Sequence, residues 1–352
     1  MKCYSCLKTI KSQYPYCKSC QKTLFDGKKI KPLDFDKTEF YEIKRKMTNI
    51  ISLSGVQDKI SLGYGNNNDL IPVSTNGKFI LKPIPKNHES AINLDDIAAN
   101  EHLSMQISLQ VFKIPTALNA LIEFKDGELA YITKRFDYSV KYNKKLDQED
   151  FASILSYTED FNGRNYKYES SYEECAYSIK KFVAAYIPAL EDFYKRIILN
   201  YLIGNGDAHL KNFSLIRDYG RSDYSLSPNY DLLFTRFHLK EESDIAGLSL
   251  FQEYETEAFG AMGYYTLQDF EEFAKLIGIP DKRVIKIFEF ILSQTNKVYE
   301  LIDRSFLSDN AKEAYKNNYD NRLRNCLCYS IKSFPFVGIT QKTIDKHLGM
   351  PK

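Results

Sequence analysis

The sequence predicts an α+β fold of two lobes, a small mixed lobe followed by a larger, mainly helical one, with a small cysteine-bearing ribbon ahead of both. Three observations carry this expectation. Residues 51 to about 138 contain strand-like runs, alternating in Ile60-Ser61-Leu62 and continuously apolar in Phe79-Ile80-Leu81, together with one long helical stretch. Helical patterns dominate the rest, through Ser171 to Tyr186, Leu190 to Ile203, Leu267 to Leu276, Lys282 to Ile302 and Asn310 to Leu327. Four of the seven cysteines fall within the first 20 residues. The chain therefore divides into a ribbon at 1–25, a basic linker or the start of the small lobe at 26–50, the small lobe at 51–138 and the helical lobe at 139–352. The last stretch, from Ser333 to Lys352, matches no pattern that can be placed.

In the ribbon, Cys3-x2-Cys6 and Cys17-x2-Cys20 are separated by ten residues, a spacing that lets four thiolates converge tetrahedrally on one metal ion. The N-terminus is polar and basic and lacks the apolar stretch of a secretory leader, so a reducing, cytoplasmic compartment is expected. That favours structural zinc over disulfides or an iron site of the rubredoxin type, and four cysteines leave no open position for catalysis at the metal. A segment of this size cannot bury a self-sufficient core, so the metal would supply its folding energy. Cys175, Cys326 and Cys328 have no partner motif and read as packing residues.

Residues 1 to 50 carry 12 Lys+Arg against 5 Asp+Glu, while the remainder carries 36 against 41. Such a basic face suits nucleic acid, an acidic protein surface or simply water. The composition, 43% hydrophobic and 27% charged with no apolar run of bilayer length, excludes a helical membrane protein. The 26 tyrosines and 23 phenylalanines are spread throughout, as packing residues are.

The small lobe opens on Ser52-Leu53-Ser54-Gly55-Val56-Gln57-Asp58-Lys59, where small residues before a strand let backbone amides approach phosphate. Its single glycine fits neither of the common glycine-rich phosphate loops. Next, Phe79-Ile80-Leu81-Lys82-Pro83 reads as a strand ending in lysine. An inward ammonium there needs an anion, and Glu101, near the middle of the helix expected from Asp95 to Leu109, can supply one beside nucleotide phosphates.

In the helical lobe, Gly204-Asn205-Gly206-Asp207-Ala208-His209-Leu210-Lys211-Asn212 sets an Asp five positions before an Asn in a turn. Phosphoryl transfer uses this spacing, the Asp taking a proton from the attacking hydroxyl and the Asn holding magnesium. An Asp in a Gly-rich turn can also be a plain helix cap. A second carboxylate arrives in Ser227-Pro228-Asn229-Tyr230-Asp231-Leu232, where Asp231 can complete a magnesium site of hard oxygen ligands.

Together with Asn100-Glu101-His102, Lys134-Arg135-Phe136-Asp137 and Gln148-Glu149-Asp150, these segments occur in the order found in HipA-type kinases, which the chain resembles over roughly residues 50 to 300. The resemblance implies a two-lobed, protein-kinase-like HipA fold with ATP and magnesium in the cleft. It makes Asp207 the catalytic base, Asn212 and Asp231 the magnesium ligands and Lys82 the grip on phosphate. Ser54, Gly55, Val56, Gln57, Asp58 and Lys59 would form the phosphate-facing loop, Lys134, Arg135 and Phe136 the adenine hinge, and His209, Lys211 and Tyr230 would line the site. Ser52 and Ser54 correspond to autophosphorylation sites that switch such kinases off, since a phosphate adds roughly −1.5 to −2 charge beside the ATP phosphates. The Ser-x-Ser pair most resembles the short HipT branch, in which a separate small protein supplies the N-terminal domain of full-length HipA. The cysteine ribbon is foreign to that pattern.

The resemblance further implies a serine/threonine kinase toxin of a type II toxin–antitoxin pair. It would be restrained by a HipB-like helix-turn-helix antitoxin, would meet DNA only through that antitoxin, and would act on a protein such as an aminoacyl-tRNA synthetase. Two other readings stay open: a small-molecule kinase of the aminoglycoside phosphotransferase type, which shares the Asp-to-Asn spacing, and a non-catalytic antitoxin-docking or DNA-associated scaffold.

Overall fold

The computed structural model describes residues 1–48, 58–86, 91–139, 142, 144–239 and 246–328. Two short helices, α1 (Lys18–Leu24) and α2 (Lys37–Thr48), precede strands β1 (Ile60–Tyr64), β2 (Leu70–Pro72) and β3 (Phe79–Lys82), helix α3 (Ile97–Gln106) and strands β4 (Asn119–Glu123) and β5 (Leu129–Lys134). The five strands form one antiparallel sheet in the order β2-β1-β3-β5-β4. After a two-stranded ribbon, β6 (Tyr138–Ser139) and β7 (Lys144–Lys145), the chain enters β8 (Asp147–Asp150), α4 (Phe151–Ile154), α5 (Glu159–Asn162), α6 (Tyr172–Phe182) and α7 (Tyr186–Ile203). Strand β9 (Ser214–Arg217) pairs with both β8 and β10 (Ser225–Leu226) in a small second sheet. Helices α8 (Glu257–Met262), α9 (Leu267–Leu276), α10 (Asp281–Ser293), α11 (Thr295–Arg304) and α12 (Asp309–Cys328) complete the large lobe. The expected mixed small lobe and mainly helical large lobe are both present.

Side-chain alternation gives the five-stranded sheet two different faces. Phe79 and Leu81 of β3, Ala120 and Ile122 of β4 and Ala130 and Ile132 of β5 share one core with Cys3, Tyr16, Cys20, Leu24, Phe25 and Phe40. The N-terminal residues are thus the cover of the sheet's outer face, and their basic character lies on the solvent side of that layer. On the other face, Leu121 and Tyr131 join a second, larger core with Ala98, Ala99 and Leu103 of α3 and the interior of the helical lobe. Lys82 stands on this face, opposite Tyr131 in register.

Helix α3 has no apolar stripe, because residues 98–106 are all buried, polar and apolar alike. It lies between sheet and helical lobe and extends through a π turn over Ile107–Val111. The stretch expected as one helix from Lys282 to Ile302 is instead α10 and α11, broken at Gln294. The Ser293 hydroxyl donates to the Phe290 carbonyl and Thr295 to that of Leu292, so side chains compete for helix acceptors at the break. Likewise α6 stops at Phe182, where Val183 turns extended and bridges Tyr224. Helix α7 starts at Tyr186, with Pro188 in its first turn, where a missing N–H costs nothing. Cys175 and Cys326 are buried packing residues.

Candidate active site

Strand β3 delivers Lys82 into the cleft between the lobes, where the side chain is buried. Its Nζ donates to Glu101 Oε1 of α3 at 2.7 Å and, more closely still, to the Asp231 carboxylate, and it lies 5.6 Å from the centre of the Tyr131 ring. One ammonium serves two carboxylates. Burial raises the pKa of Glu101 to about 7 despite the pairing. For Lys82 burial opposes the charge, but the two carboxylates outweigh it and the pKa lies above the ordinary lysine value. At Asp231 burial pushes upward while Lys82 pulls harder, and the pKa falls below the ordinary value. The Asp231 side chain is still 41% exposed, so it has room for a further ligand. Its backbone sits at φ 59, in the left-handed region that Asp tolerates better than most residues.

The loop after α7 is held by its own side chains. Gly204 ends the helix at φ 71, and a Cβ there would stand 2.8 Å from Asn318 Oδ1 and 3.1 Å from the Phe234 ring. Asn205 donates through Nδ2 to Asn200 Oδ1, and its own Oδ1 accepts from the Asp207 amide. Gly206 donates to the Thr235 hydroxyl, which in turn donates to the Gly204 carbonyl. This scaffold leaves Asp207 half exposed at the loop's tip, with His209 Nε2 3.7 Å away. His209 itself is buried, its Nδ1 has no hydrogen-bond partner, and burial depresses its pKa. It feels the charges of both Asp207 and Asp231, which places the two carboxylates around one site. Asn212 is buried at the loop's far end, in a short 3₁₀ turn.

Other expected residues fall around this centre. Lys59 feels the charges of Asp231, Lys82 and Glu101 and so faces the cleft, whereas Asp58 turns away to pair with Lys44 of α2. Ser52, Ser54, Gly55, Val56 and Gln57 lie outside the described residues. Phe136 packs its ring 5.4 Å from that of Tyr230, whose hydroxyl donates to the Lys211 carbonyl. The amides of Lys134 and Arg135 donate to the Leu118 and Lys78 carbonyls, and their side chains pair with Asp26 and Asp137. Neither side chain is directed at the catalytic loop. Lys211 extends over the Tyr166 ring.

Three participants had no role assigned to them in the sequence reading. Tyr168 donates its hydroxyl to Asp207 Oδ1 and packs edge-on against His209, with Lys167 Nζ 3.9 Å from the same oxygen. Asn100, one residue before Glu101, spans to the segment after Asp231, donating to the Phe234 carbonyl and accepting from the Phe234 amide. Gly247 presses against Ala208 inside the catalytic loop. A glycine inside the apolar run Ala246 to Leu250 was the available signal for such an approach. The Tyr166-Lys167-Tyr168 cluster offered none, because nothing periodic marks it.

Away from the cleft, the four N-terminal cysteines bring their Sγ atoms within 4.8 Å of one another, and all four are free thiols. Tetrahedral zinc–thiolate bonds of about 2.3 Å place sulfurs roughly 3.8 Å apart. The Cys6 to Cys17 separation of 3.9 Å fits that geometry. No helix among the described residues is long and apolar enough to cross a membrane.

The chain is 29% identical over 317 residues to a Haemophilus influenzae protein named "Putative kinase", covering 85% of this chain and 89% of that one. It is 30% identical over 205 residues to "Putative kinase Y4dM" of Sinorhizobium fredii, across 55% of this chain and 47% of the relative. The fold resembles HipA from the Shewanella oneidensis complex of HipA, HipB and operator DNA. That match has a TM-score of 0.58 and 19% identity and covers 78% of this chain, but only 64% of the solved one. The family pattern described as "HipA-like C-terminal domain" matches residues 51–299, from before β1 to within α11, and the chain belongs to that family.

Proposed function

We propose that this protein is a serine/threonine kinase that transfers the γ-phosphoryl group of ATP to a protein hydroxyl. The observation that carries the reading is Lys82, a buried lysine held by a helix carboxylate on one side and by Asp231 on the other, above a loop that presents Asp207. Burying this ion triad is costly unless the site has a charged ligand to receive. The donor set fits the implied group: Asn212 and Asp231 offer the hard oxygens magnesium takes, and magnesium held there would offset phosphate charge. Lys82 then leaves Asp231 and binds phosphate oxygens while keeping Glu101. Asp207 orients the acceptor hydroxyl and receives its proton as oxygen bonds to the γ-phosphorus and the bond to the bridging oxygen of ADP breaks. Phe136 and Tyr230 give the adenine an aromatic wall.

Within this reading, Ser52 and Ser54 are the self-modification sites, the restraining partner is a HipB-like antitoxin, and DNA is met only through it. The Shewanella relative, solved with HipB and its operator, supports this choice of partner. The substrate class is a translation protein of the aminoacyl-tRNA synthetase kind, a separate small protein stands in for the HipA N-terminal domain in the manner of the HipT branch, and the protein works in the cytoplasm. The cysteine cluster holds structural zinc.

Incubation with labelled ATP and magnesium, beside an Asp207→Asn variant, tests the reading. Label on Ser52 or Ser54 that is lost in the variant supports it. Binding of ATP with transfer only to small hydroxylated molecules would replace the protein-kinase reading, and no nucleotide binding would end both.

A further inference from the structure

The cysteine ribbon does more than cover the sheet. All three residues from Tyr4 to Cys6, in the first Cys-x2-Cys, are bonded to the β4 edge of the sheet or to the continuation of α3. The Tyr4 carbonyl accepts from the Leu121 amide of β4, and the Ser5 hydroxyl donates to the Asn119 carbonyl. The Cys6 carbonyl accepts from Gln110 Nε2, in the π turn that continues α3. The Ser5 carbonyl lies 2.8 Å from His102 Nε2. A carbonyl can only accept, so Nε2 carries the proton, and Nδ1 is left buried without a partner. His102 is fully buried and is the neighbour of Glu101.

The same loop also reaches the helical lobe. Lys2 Nζ donates to the Ser305 carbonyl at 2.8 Å, the Tyr4 ring packs edge-on against Phe306 at 5.0 Å, and Leu7 belongs to the large core while Cys3 and Cys20 belong to the small one. A loop of six residues thus ties together the sheet edge, the Glu101 helix and the turn between α11 and α12. Within itself the loop has little regular structure: Leu7 holds φ 61, the segment from Met1 to Tyr16 contains no helix, and Lys2 forms an isolated bridge with Thr9. Four converging thiolates are the element able to fix it.

We propose that a divalent metal of the zinc class, bound by Cys3, Cys6, Cys17 and Cys20, clamps α3 between the lobes through the Ser5–His102 contact and thereby sets Glu101 against Lys82. The metal site makes the nucleotide grip conditional on metal occupancy, by holding a helix in place rather than by touching substrate. The consequence for nucleotide rests on the kinase reading, while the clamp itself does not.

The test uses the full chain, with metal content measured by mass spectrometry before and after reversible chelation, and amide hydrogen exchange followed in α3 and β4. One zinc per chain is expected. Its removal should speed exchange in α3 roughly tenfold or more, and re-addition should restore protection. His102→Leu should retain the metal yet show the fast exchange, and His102→Gln, which keeps a donor, should recover much of the protection. Magnesium–ATP affinity measured on the same samples should fall with α3 protection. Absence of metal from protein prepared with zinc overturns the proposal, as does faster exchange confined to residues 1–25 after chelation. If the zinc-loaded protein fails to bind nucleotide while α3 still answers to the metal, the kinase reading fails and the clamp stands.

Discussion

Gly247 lies so close to Ala208 that an added Cβ would stand 2.5 Å from the backbone nitrogen and carbonyl carbon of that residue. Backbone cannot yield as a flexible side chain would, so the smallest substitution displaces either the 246–251 segment or the catalytic loop. Gly247→Ala should therefore lower kcat about tenfold or more while leaving ATP affinity near that of the parent, because Lys82 and Glu101 are untouched. Steady-state kinetics beside a direct nucleotide-binding titration separate the two. An unchanged kcat would show that the loop absorbs the contact.

Tyr168 holds one oxygen of Asp207, and in the proposed reaction the other meets the substrate hydroxyl. Tyr168→Phe should reduce kcat by about ten- to a hundredfold, the worth of one hydrogen bond to a charged group, without changing the KM for ATP. Asp207→Asn should cost on the order of a thousandfold. A Tyr168→Phe enzyme faster than the parent would instead identify the tyrosine as a block on the acceptor site.

Lys82 and Glu101 are both buried, so removing one strands the other. Lys82→Met should abolish transfer and destabilise the protein by about 3–5 kcal/mol, whereas the double change Lys82→Met with Glu101→Leu should be less destabilised than the single one and equally inactive. Urea unfolding of the parent, the two single variants and the double variant decides this. Additive losses would mean that the pair carries no coupling in the fold.

Glu271 on α9 has a buried oxygen without a partner, and burial, with Asp281 adding to it, raises its pKa to about 8. The folded state thus holds this proton more tightly than the unfolded chain. Its contribution to stability is complete below the ordinary carboxylate value near 4.5 and is lost as pH rises through about 8. Glu271→Gln, permanently neutral, should match the parent in Tm at pH 5 and exceed it by a few degrees at pH 9. Parallel melting curves across that range would show that the carboxylate finds solvent.

The pairing of Lys82 with Glu101 could be read in advance because each piece has a local signature: a strand that ends in lysine, and a helix with a carboxylate where apolar residues surround it. The Asp207-to-Asn212 spacing was legible for the same reason, being a property of six consecutive residues. What could not be read were contacts between distant segments. Tyr168 reaches Asp207 across 39 residues, and Asn100 reaches Phe234 across 134. The N-terminal ribbon was legible as a metal-binding pattern but not as a sheet cover, since its apolar residues, Leu24, Phe25 and Phe40 among them, acquire a partner face only once β3, β4 and β5 are paired. The split at Gln294 was missed because periodicity continues across it, and only the hydroxyls of Ser293 and Thr295 mark the break.

The left-handed backbone of Asp231 bears on how such a protein could lose its chemistry. Most side chains at φ 59 add roughly 1–2 kcal/mol of strain, and β-branched ones more, while Asn and Gly add little. Thermal melts should rank Asp231→Val well below Asp231→Asn, although both are expected to be inactive. Both tolerated replacements lie one base away from an aspartate codon. Decay of the proposed metal site by drift therefore has two quiet exits, and a silenced copy that still folds is a single transition away.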